Sequence, residues 1–219
     1  RDRYYNCMSG SKINVAKQAI NFLENKLSEK MIIGIGTGTT VNFFIEELKA
    51  YKHMFDGAVS SSDRSSAILK DAGIKVYELN GVNNIAFYID GADEVSEDYS
   101  LIKGGGGAHT REKIVASASD HFICIVDKSK LVKNLGAFAL PIEVIPESRS
   151  LVSRKILSLG GIPTYRQGFV TDQGNQVIDV TGLNLQNPLD MEYKINGIAG
   201  VVDNGIFAIN KPKTVLVSD

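Results

Sequence analysis

Three short segments of this 219-residue chain combine glycines with polar side chains that could carry out chemistry. They are GIGTGTT at 34–40, DGADE at 90–94 and LIKGGGGAHTREK at 101–113. The first offers hydroxyl groups and open backbone N–H groups, the second paired carboxylates, and the third a lysine and a glutamate separated by glycines. Anion-binding donors, acid–base carboxylates and a cation are together suited to proton transfer on a small phosphorylated polyol.

The segment 34–40 has the composition of a phosphate-binding loop. Its glycines leave backbone N–H groups open to an anion, and a helix that begins directly after it would favour negative charge at the same place. Neither nucleotide signature is present, because Val41 stands where a dinucleotide loop needs its third glycine and no Gly-Lys-Ser/Thr triplet follows. A tight turn without a ligand is the alternative. The hydroxyl donors of this loop would be Thr37, Thr39 and Thr40.

The carboxylates of Asp90 and Asp93 follow the apolar run NIAFYI and flank two small residues. Carboxylates grouped at the end of a strand can bind magnesium or act as acid and base. Turn carboxylates that only cap backbone N–H groups are the alternative, and the two residues alone do not decide between these roles.

The four glycines from Gly104 to Gly107 would leave backbone N–H groups unshielded, as a site for a negatively charged oxygen requires. Thr110 is a candidate N-cap, which would place Glu112 in the first turn of a helix, where the dipole favours an ionised carboxylate. A flexible surface loop with an ordinary first-turn acid is the alternative. His109 lies beside the glycines and could touch a ligand, but the three histidines are too scattered for a zinc site.

The elements that must position these segments alternate between strand and helix in the first half of the chain. Such alternation predicts a parallel sheet with helices on both faces, and ligands of such sheets lie at the carboxyl ends of the strands. The predicted strands are 31–36, 57–62, 75–79, 84–89 and 121–127, and the predicted helices are 14–27, 40–51, 65–73 and 112–119.

After residue 135 the pattern changes to strand, helix, two strands, helix and strand, which is the split-βαβ pattern of a small α+β domain. The predicted elements are a strand at 140–146, a helix at 149–161, a hairpin turn at 172–175, a helix from 187 and short strands near 201–208 and 214–218. We therefore predict an α/β protein, with a Rossmann-like parallel-sheet domain of residues 1–135 and 208–219. A smaller α+β domain, ferredoxin-like and formed by residues 136–207, is inserted into it.

Composition excludes several classes of partner. A net charge of −1 gives no general attraction to nucleic acid or to anionic lipid. No apolar run approaches the roughly 20 residues that span a bilayer, and the first residues have no apolar stretch of the kind found in signal peptides. Cys7 and Cys124 do not form a disulfide framework. We predict a cytoplasmic protein that acts on a small molecule.

The motifs in this order resemble the type A ribose-5-phosphate isomerases. The resemblance rests on the three segments above, and it continues through AVSSSD (58–63), IVDKSK (125–130), LPIEVIP (140–146), YRQG, VTDQGN and GVVDNGIFA, which together cover nearly the whole chain. Two positions depart from the family pattern. Thr39 replaces the usual serine and keeps the hydroxyl, and His109 replaces the usual leucine, which could alter the wall beside the glycines.

The resemblance implies interconversion of D-ribose 5-phosphate and D-ribulose 5-phosphate, a step of the non-oxidative pentose phosphate pathway. It implies an enediolate intermediate, no metal or organic cofactor, and a homodimer or tetramer. By position, Glu112 is the proton acceptor, and Asp90, Asp93 and Lys103 are further catalytic residues. The substrate-binding residues implied are Thr37, Gly38, Thr39, Thr40, Asp90, Gly91, Ala92, Asp93, Lys103, Gly104, Gly105, Gly106 and Lys130.

Two other classes of protein remain as alternatives. A sugar-phosphate-sensing domain of a transcription regulator would keep a phosphate loop, and a coenzyme A transferase of related fold would use a glutamate. The resemblance to the isomerases runs through all the motifs, and it is therefore the favoured interpretation.

Overall fold

The computed structural model describes residues 2–219, with side chains described from residue 9 onward, so Cys7 lies outside the described side chains. Its α-helices are α1 (Asp2–Leu23), α2 (Thr39–Leu48), α3 (Asp63–Asp71), α4 (His109–Ser117), α5 (Arg149–Ser158) and α6 (Pro188–Asn196). Its strands are β1 (Ile32–Ile35), β2 (Gly57–Ser60), β3 (Val76–Tyr77), β4 (Ile85–Asp90), β5 (Glu94–Val95), β6 (Leu101–Ile102), β7 (Ser119–Asp127), β8 (Leu140–Val144), β9 (Ile162–Tyr165), β10 (Gln176–Thr181), β11 (Val201–Asn204), β12 (Ile206–Phe207) and β13 (Thr214–Ser218). Among these helices, none combines the length and the apolar character that crossing a membrane requires.

The chain divides into two compact units. The first contains residues 1–91, 114–130 and 212–219, and the second contains residues 92–113 and 131–211.

The first unit is built on a six-stranded sheet in the order β13-β7-β4-β1-β2-β3, in which every neighbouring pair is parallel. The central strand β1 is the apolar tetrad IIGI, and all four residues are buried. A strand buried on both faces is what helices on either side of a parallel sheet produce. Its core includes Leu23 of α1, Phe44 of α2 and Ile33 of β1. The predicted α/β fold class is thereby confirmed.

The second unit contains the elements β8, α5, β9, β10, α6 and β11 in that order along the chain. Their strands form an antiparallel sheet in the order β11-β8-β10-β9, with a core that includes Ile142, Val152, Ile156 and Ile178. This is the predicted strand–helix–strand, strand–helix–strand sequence. A separate three-stranded sheet in the order β12-β6-β5 lies in the same unit.

The units differ from the predicted domain boundaries in three segments, residues 92–113, 131–135 and 208–211, all of which lie in the second unit. Residues 92–113 were assigned to the larger domain, whereas in the structure they belong to the second unit. The reason is the pairing of β6 with β5 on one side and with β12 on the other. The predicted turn at 172–175 exists, with Gly174 N–H bonded to the Thr171 carbonyl, but it is only the last part of a longer connection between β9 and β10.

Candidate active site

The loop between β1 and α2 ends at Gly38, the residue that precedes the helix. Its φ of 128° lies in a region open to glycine and strained for other residues. Among the described side chains, none caps the N-terminus of α2. The first N–H groups of a helix have no partner inside the helix, so this end of α2 is available to an anion.

The threonines of the loop have different surroundings. The Thr37 hydroxyl donates to the Ser62 Oγ at 2.8 Å and lies 2.9 Å from the Ser61 Oγ, so it ties the loop to the end of β2. The Thr39 Oγ1 accepts a hydrogen bond from the Lys12 Nζ at 2.7 Å. Thr40 lies in the first turn of α2. Lys12 therefore brings a cation to the loop, and the sequence analysis did not predict it.

Asp90 is fully buried at the end of β4, and its carboxylate holds the loop between β1 and α2 in place. It accepts hydrogen bonds from the Thr37 N–H at 3.2 Å, the Gly91 N–H at 2.8 Å and the Tyr88 hydroxyl at 2.5 Å. A Cβ atom at position 36 would lie 2.0 Å from the Asp90 Cγ, so Gly36 makes this contact possible.

Asp93 has a comparable role in the second unit, where it contacts the four consecutive glycines at 104–107, called the glycine segment below. Its Oδ2 accepts a hydrogen bond from the Gly105 N–H at 2.8 Å. The segment turns back on itself, with the Gly107 N–H bonded to the Gly104 carbonyl at 2.8 Å. Gly105 and Gly106 are exposed between these two contacts.

Lys103 and Glu112 form an ion pair, with 3.0 Å between Nζ and Oε2, and their side chains are only 3% and 5% exposed. The Lys103 N–H donates to the Gly205 carbonyl directly after β6, and its ammonium lies 5.6 Å from the ring centroid of Phe207. Glu112 is in the first turn of α4, as predicted. The pair therefore places a carboxylate and a cation together in an environment with little water.

Thr110 is not the N-cap that the sequence predicted, because α4 begins one residue earlier, at His109. The Thr110 hydroxyl instead donates to Glu143 on β8, a carboxylate that is fully buried. Neutral donors complete the surroundings of Glu143: the Thr171 hydroxyl at 2.8 Å and the side-chain amides of Gln173 and Asn175 at 3.2 and 3.0 Å. This network fixes the start of α4.

Lys113 anchors the helix one residue after Glu112. Its ammonium contacts the Glu192 Oε1 at 3.0 Å, the Asp203 Oδ1 at 2.9 Å and the carbonyls of Asn204 and Ile206, both at 2.8 Å. Since an ammonium has three hydrogens, these acceptors satisfy it completely. Because these contacts hold Lys113, they also fix the position of the neighbouring Glu112 in the first turn of α4.

His109 is fully buried, and desolvation lowers its pKa to about 4, so the ring is neutral at pH 7. Its Nε2 lies 3.2 Å from the Asp203 carbonyl, which identifies Nε2 as the protonated nitrogen. Its Nδ1 has no hydrogen-bond partner among the described residues. A Cβ atom at position 104 would lie 2.7 Å from this nitrogen, so His109 packs against the glycine segment.

The predicted site residues are divided between the two compact units. Lys130 lies in the 3₁₀ turn after β7, half-buried. Among the residues described, no three histidine, cysteine, aspartate or glutamate side chains are grouped so that they could hold a metal ion. The first unit contains Thr37, Gly38, Thr39, Thr40, Asp90, Gly91 and Lys130, and the second contains Ala92, Asp93, Lys103, Gly104, Gly105, Gly106 and Glu112.

The parallel sheet defines an α/β fold, and the buried pair of Lys103 and Glu112 supplies the acid–base groups of an enzyme. The family model of ribose 5-phosphate isomerase A (phosphoriboisomerase A) matches residues 57–219, and the chain belongs to this family. Ribose-5-phosphate isomerase A of Legionella pneumophila (strain Corby) is 53% identical over 211 residues, which are 96% of this chain and 96% of the relative.

Solved structures of the family have the same fold. The crystal structure of ribose 5 phosphate isomerase A from Neisseria gonorrhoeae has a TM-score of 0.93 and 49% identity, over 97% of this chain and 93% of that one. The ribose 5-phosphate isomerase A structure from Methanocaldococcus jannaschii has a TM-score of 0.88 and 38% identity, over 95% of this chain and 94% of that one. The predicted family is therefore confirmed.

Proposed function

We propose that this chain interconverts D-ribose 5-phosphate and D-ribulose 5-phosphate, with Glu112 as the group that carries the proton. Membership of the ribose 5-phosphate isomerase A family supports the activity. The observation that supports the mechanism is the buried pair of Lys103 and Glu112, with 3.0 Å between Nζ and Oε2.

In the open-chain aldose, Glu112 removes the proton from C2, and the electron pair moves to give an enediolate whose charge develops on O1. The hydroxyl proton of O2 is transferred to O1, which leaves the negative charge on O2. The same carboxylate then returns the carbon-bound proton to C1 as the C2–O2 bond becomes the carbonyl of the ketose. Lys103 places a positive charge where the oxygen becomes negative, and backbone N–H groups of the glycine segment add hydrogen bonds. Fixed donors of this kind stabilise a transition state more than the substrate, because the charge develops only during the reaction.

The phosphate group binds at the start of α2. The N–H groups at the helix end, the hydroxyls of Thr39 and Thr40 and the Lys12 ammonium supply donors and positive charge for a dianion. Lys130 contributes a further cation. These contacts are remote from the reacting carbons, so they act equally in the ground and transition states and set mainly the Michaelis constant.

The two aspartates have different roles. Asp90 already accepts three hydrogen bonds in a fully buried position, which suits a residue that orders the phosphate loop. Asp93 is only partly buried and lies next to the exposed glycines, so it moves hydroxyl protons of the sugar, including those transferred when the ring opens. Gly91 and Ala92 keep the connection between the aspartates small enough for substrate to approach.

The proposal extends to the state of the protein in the cell. We place the enzyme in the cytoplasm as a homodimer, with a tetramer as the alternative, and without nucleic acid or membrane partners. Its net charge of −1 and the resemblance to the isomerase family support this assignment. Light scattering of the purified protein gives the number of subunits directly.

The experiment that tests the proposed function is an assay of ketose formation from ribose 5-phosphate, performed before and after exhaustive treatment with a chelator. We expect full activity in both cases. A purified, folded protein that forms no ribulose 5-phosphate would contradict the proposed reaction. Activity that disappears with chelator and returns with magnesium would instead make Asp90 and Asp93 metal ligands.

A further inference from the structure

Arg166 follows β9 and bonds to two different parts of the second unit. Its Nε lies 2.8 Å from the Asp179 Oδ2 and its Nη2 lies 2.5 Å from the Asp179 Oδ1, which is a two-point ion pair. Its remaining N–H groups point to the glycine segment: Nη1 donates to the Gly105 carbonyl at 3.2 Å, and Nη2 donates to the Gly104 carbonyl at 3.3 Å. A planar guanidinium can make this set of contacts because its five N–H groups lie in a fixed fork.

The contacts of Arg166 determine which way the neighbouring N–H groups point. In a trans peptide the C=O and N–H bonds are directed to opposite sides, and the described chain has no cis peptide. The Gly104 carbonyl shares its peptide with the Gly105 N–H, and the Gly105 carbonyl shares its peptide with the Gly106 N–H. With both carbonyls turned toward Arg166, both N–H groups face away from it.

The two N–H groups have different surroundings. The Gly105 N–H donates to the Asp93 carboxylate at 2.8 Å, so Arg166 and Asp93 hold the same peptide from opposite sides. The next peptide ends at Gly106, an exposed residue around which a Cβ atom would find nothing within 4 Å. This peptide therefore borders open space at Gly106, an exposed residue whose N–H can serve a bound ligand.

Glycine residues have little intrinsic preference for one backbone conformation, so the orientation of this peptide requires an external constraint. Phe169 supplies packing at the end of the segment, since a Cβ atom at position 107 would lie 2.2 Å from its ring. The Arg166 guanidinium lies 5.1 Å from the centroid of that ring. Arg166 thus contacts the carbonyls of the glycine segment, Asp179 holds Arg166, and Phe169 packs at the end of the segment.

We propose that Arg166, held by Asp179, is a positioning residue for the isomerase reaction: it orients the Gly105–Gly106 peptide so that the Gly106 N–H donates to the oxygen that becomes negative in the enediolate. This inference rests on the proposed function. The positive charge on the carbonyl side also polarises the peptide, which strengthens the N–H as a donor. Oriented donors are effective because no reorganisation is needed when the charge develops.

A purely structural role for Arg166 would be the joining of β9 to β10, and Arg149 provides a matched control for that role. Arg149 stacks on Tyr165 at 4.0 Å and donates to the Gln176 Oε1 at 3.1 Å, so it also connects residues of these two strands. Among its described contacts, none reaches the glycine segment. The variants Arg166→Met and Arg149→Met therefore remove the same type of side chain from the same region.

The test compares these variants with the intact enzyme in four measurements: kcat, the KM for ribose 5-phosphate, inhibition by inorganic phosphate, and inhibition by a phosphorylated four-carbon hydroxamate. The two oxygens of the hydroxamate resemble those of the enediolate. We expect Arg166→Met to lower kcat about 10- to 100-fold and to weaken hydroxamate binding in parallel, as loss of an oriented oxyanion donor does. KM and phosphate inhibition should change by less than about 3-fold, and Arg149→Met should leave all four near normal.

Two further variants keep the test decisive if Arg166→Met folds poorly. Asp179→Asn retains the guanidinium but loosens its anchor, so kcat should fall by less than in Arg166→Met, with the same unchanged KM. Arg166→Lys should restore stability but little of kcat, since an ammonium does not reproduce the planar fork.

A normal kcat in folded Arg166→Met or in Arg166→Lys would overturn the inference, as would a loss of phosphate affinity as large as the loss of kcat. Failure of the proposed function looks different, because the unmodified protein would then form no ketose at all. An active unmodified enzyme with unaffected Arg166 variants would leave the proposed function intact and reject only the role of Arg166.

Discussion

At the scale of single residues, the proposed chemistry depends on Lys103 and Glu112, and both charges are buried. Removing charges from water is costly, and their mutual attraction offsets that cost only while both partners are present. We therefore attribute the pair to the proposed reaction rather than to a gain in stability. Both residues are predictable from the sequence, because a first-turn glutamate and a lysine flank an unusual run of glycines. Their direct contact is not predictable in this way.

Replacing one partner separates the two effects. Lys103→Met should lower the free energy of unfolding by about 3 kcal/mol, since it leaves the Glu112 carboxylate buried without its cation. The double variant Lys103→Met, Glu112→Leu should recover most of that loss while remaining inactive. Denaturant unfolding of the single and double variants measures both values. A double variant no more stable than Lys103→Met would contradict this account of the pair.

His109 makes the stability of the protein depend on pH in a definite window. In the unfolded chain the histidine takes up a proton near pH 6.5, whereas in the fold, where desolvation lowers its pKa, it does so only near pH 4. Protonation therefore favours the unfolded chain between these values, so stability is complete above about pH 6.5 and declines as the pH falls toward 4.

The variant His109→Leu should remove that contribution and also the unpartnered Nδ1, whose burial costs about 1 kcal/mol or more. We expect the variant to be more stable than the native chain, with a difference that grows from pH 7 to pH 4.5. Thermal unfolding across this range is the measurement. A difference that stays constant with pH would show that His109 does not titrate in this way.

At the scale of elements, the loop between β1 and α2 illustrates how a backbone shape is made by side chains from elsewhere. Gly36 is in contact with the buried carboxylate of Asp90, and that carboxylate holds the Thr37 N–H. Sequence patterns predicted the loop and the aspartate separately. The contact between them depends on the parallel pairing of β1 with β4, which no local pattern encodes.

Gly36→Ala should therefore weaken phosphate binding, because the added Cβ atom would lie 2.0 Å from the Asp90 Cγ and displace the carboxylate. We expect the inhibition constant of inorganic phosphate to rise about 10-fold or more, since several charge-assisted hydrogen bonds lose their alignment. Gly81→Ala, at a position where a Cβ atom meets nothing within 4 Å, is the control and should change little. Equal phosphate inhibition in both variants would place the phosphate elsewhere.

The helix α4 shows where prediction from sequence ends. Its first-turn glutamate was predicted correctly, but Thr110 was assigned as the N-cap because threonine commonly has that role. In the structure its hydroxyl donates to Glu143, which is 33 residues away in the chain. The strands β5 and β6 were also missed, since two residues carry no periodicity. Local sequence patterns cannot predict contacts between residues far apart in the chain or strands of only two residues.

At the scale of the whole molecule, the chain passes between the two units four times, at 91/92, at 113/114 within α4, at 130/131 and at 211/212. The first unit carries the proposed phosphate-binding loop, and the second carries the proposed base Glu112, Lys103 and the glycine segment. The alternation of strands and helices was sufficient to predict the parallel sheet. The allocation of 92–113 was not predictable, because it depends on the pairing of β6 with β12 near the end of the chain.

The most direct test of the proposed function is the turnover of Glu112→Gln, because glutamine keeps the size of the side chain and removes its capacity to accept a proton. The variant should lower kcat about 100-fold or more, as loss of a positioned base does, while inhibition by inorganic phosphate remains close to normal. In deuterium oxide it should also lose incorporation of deuterium at C1 and C2 of the sugar phosphate. A folded Glu112→Gln enzyme that retains more than half of the normal turnover would show that another group carries the proton.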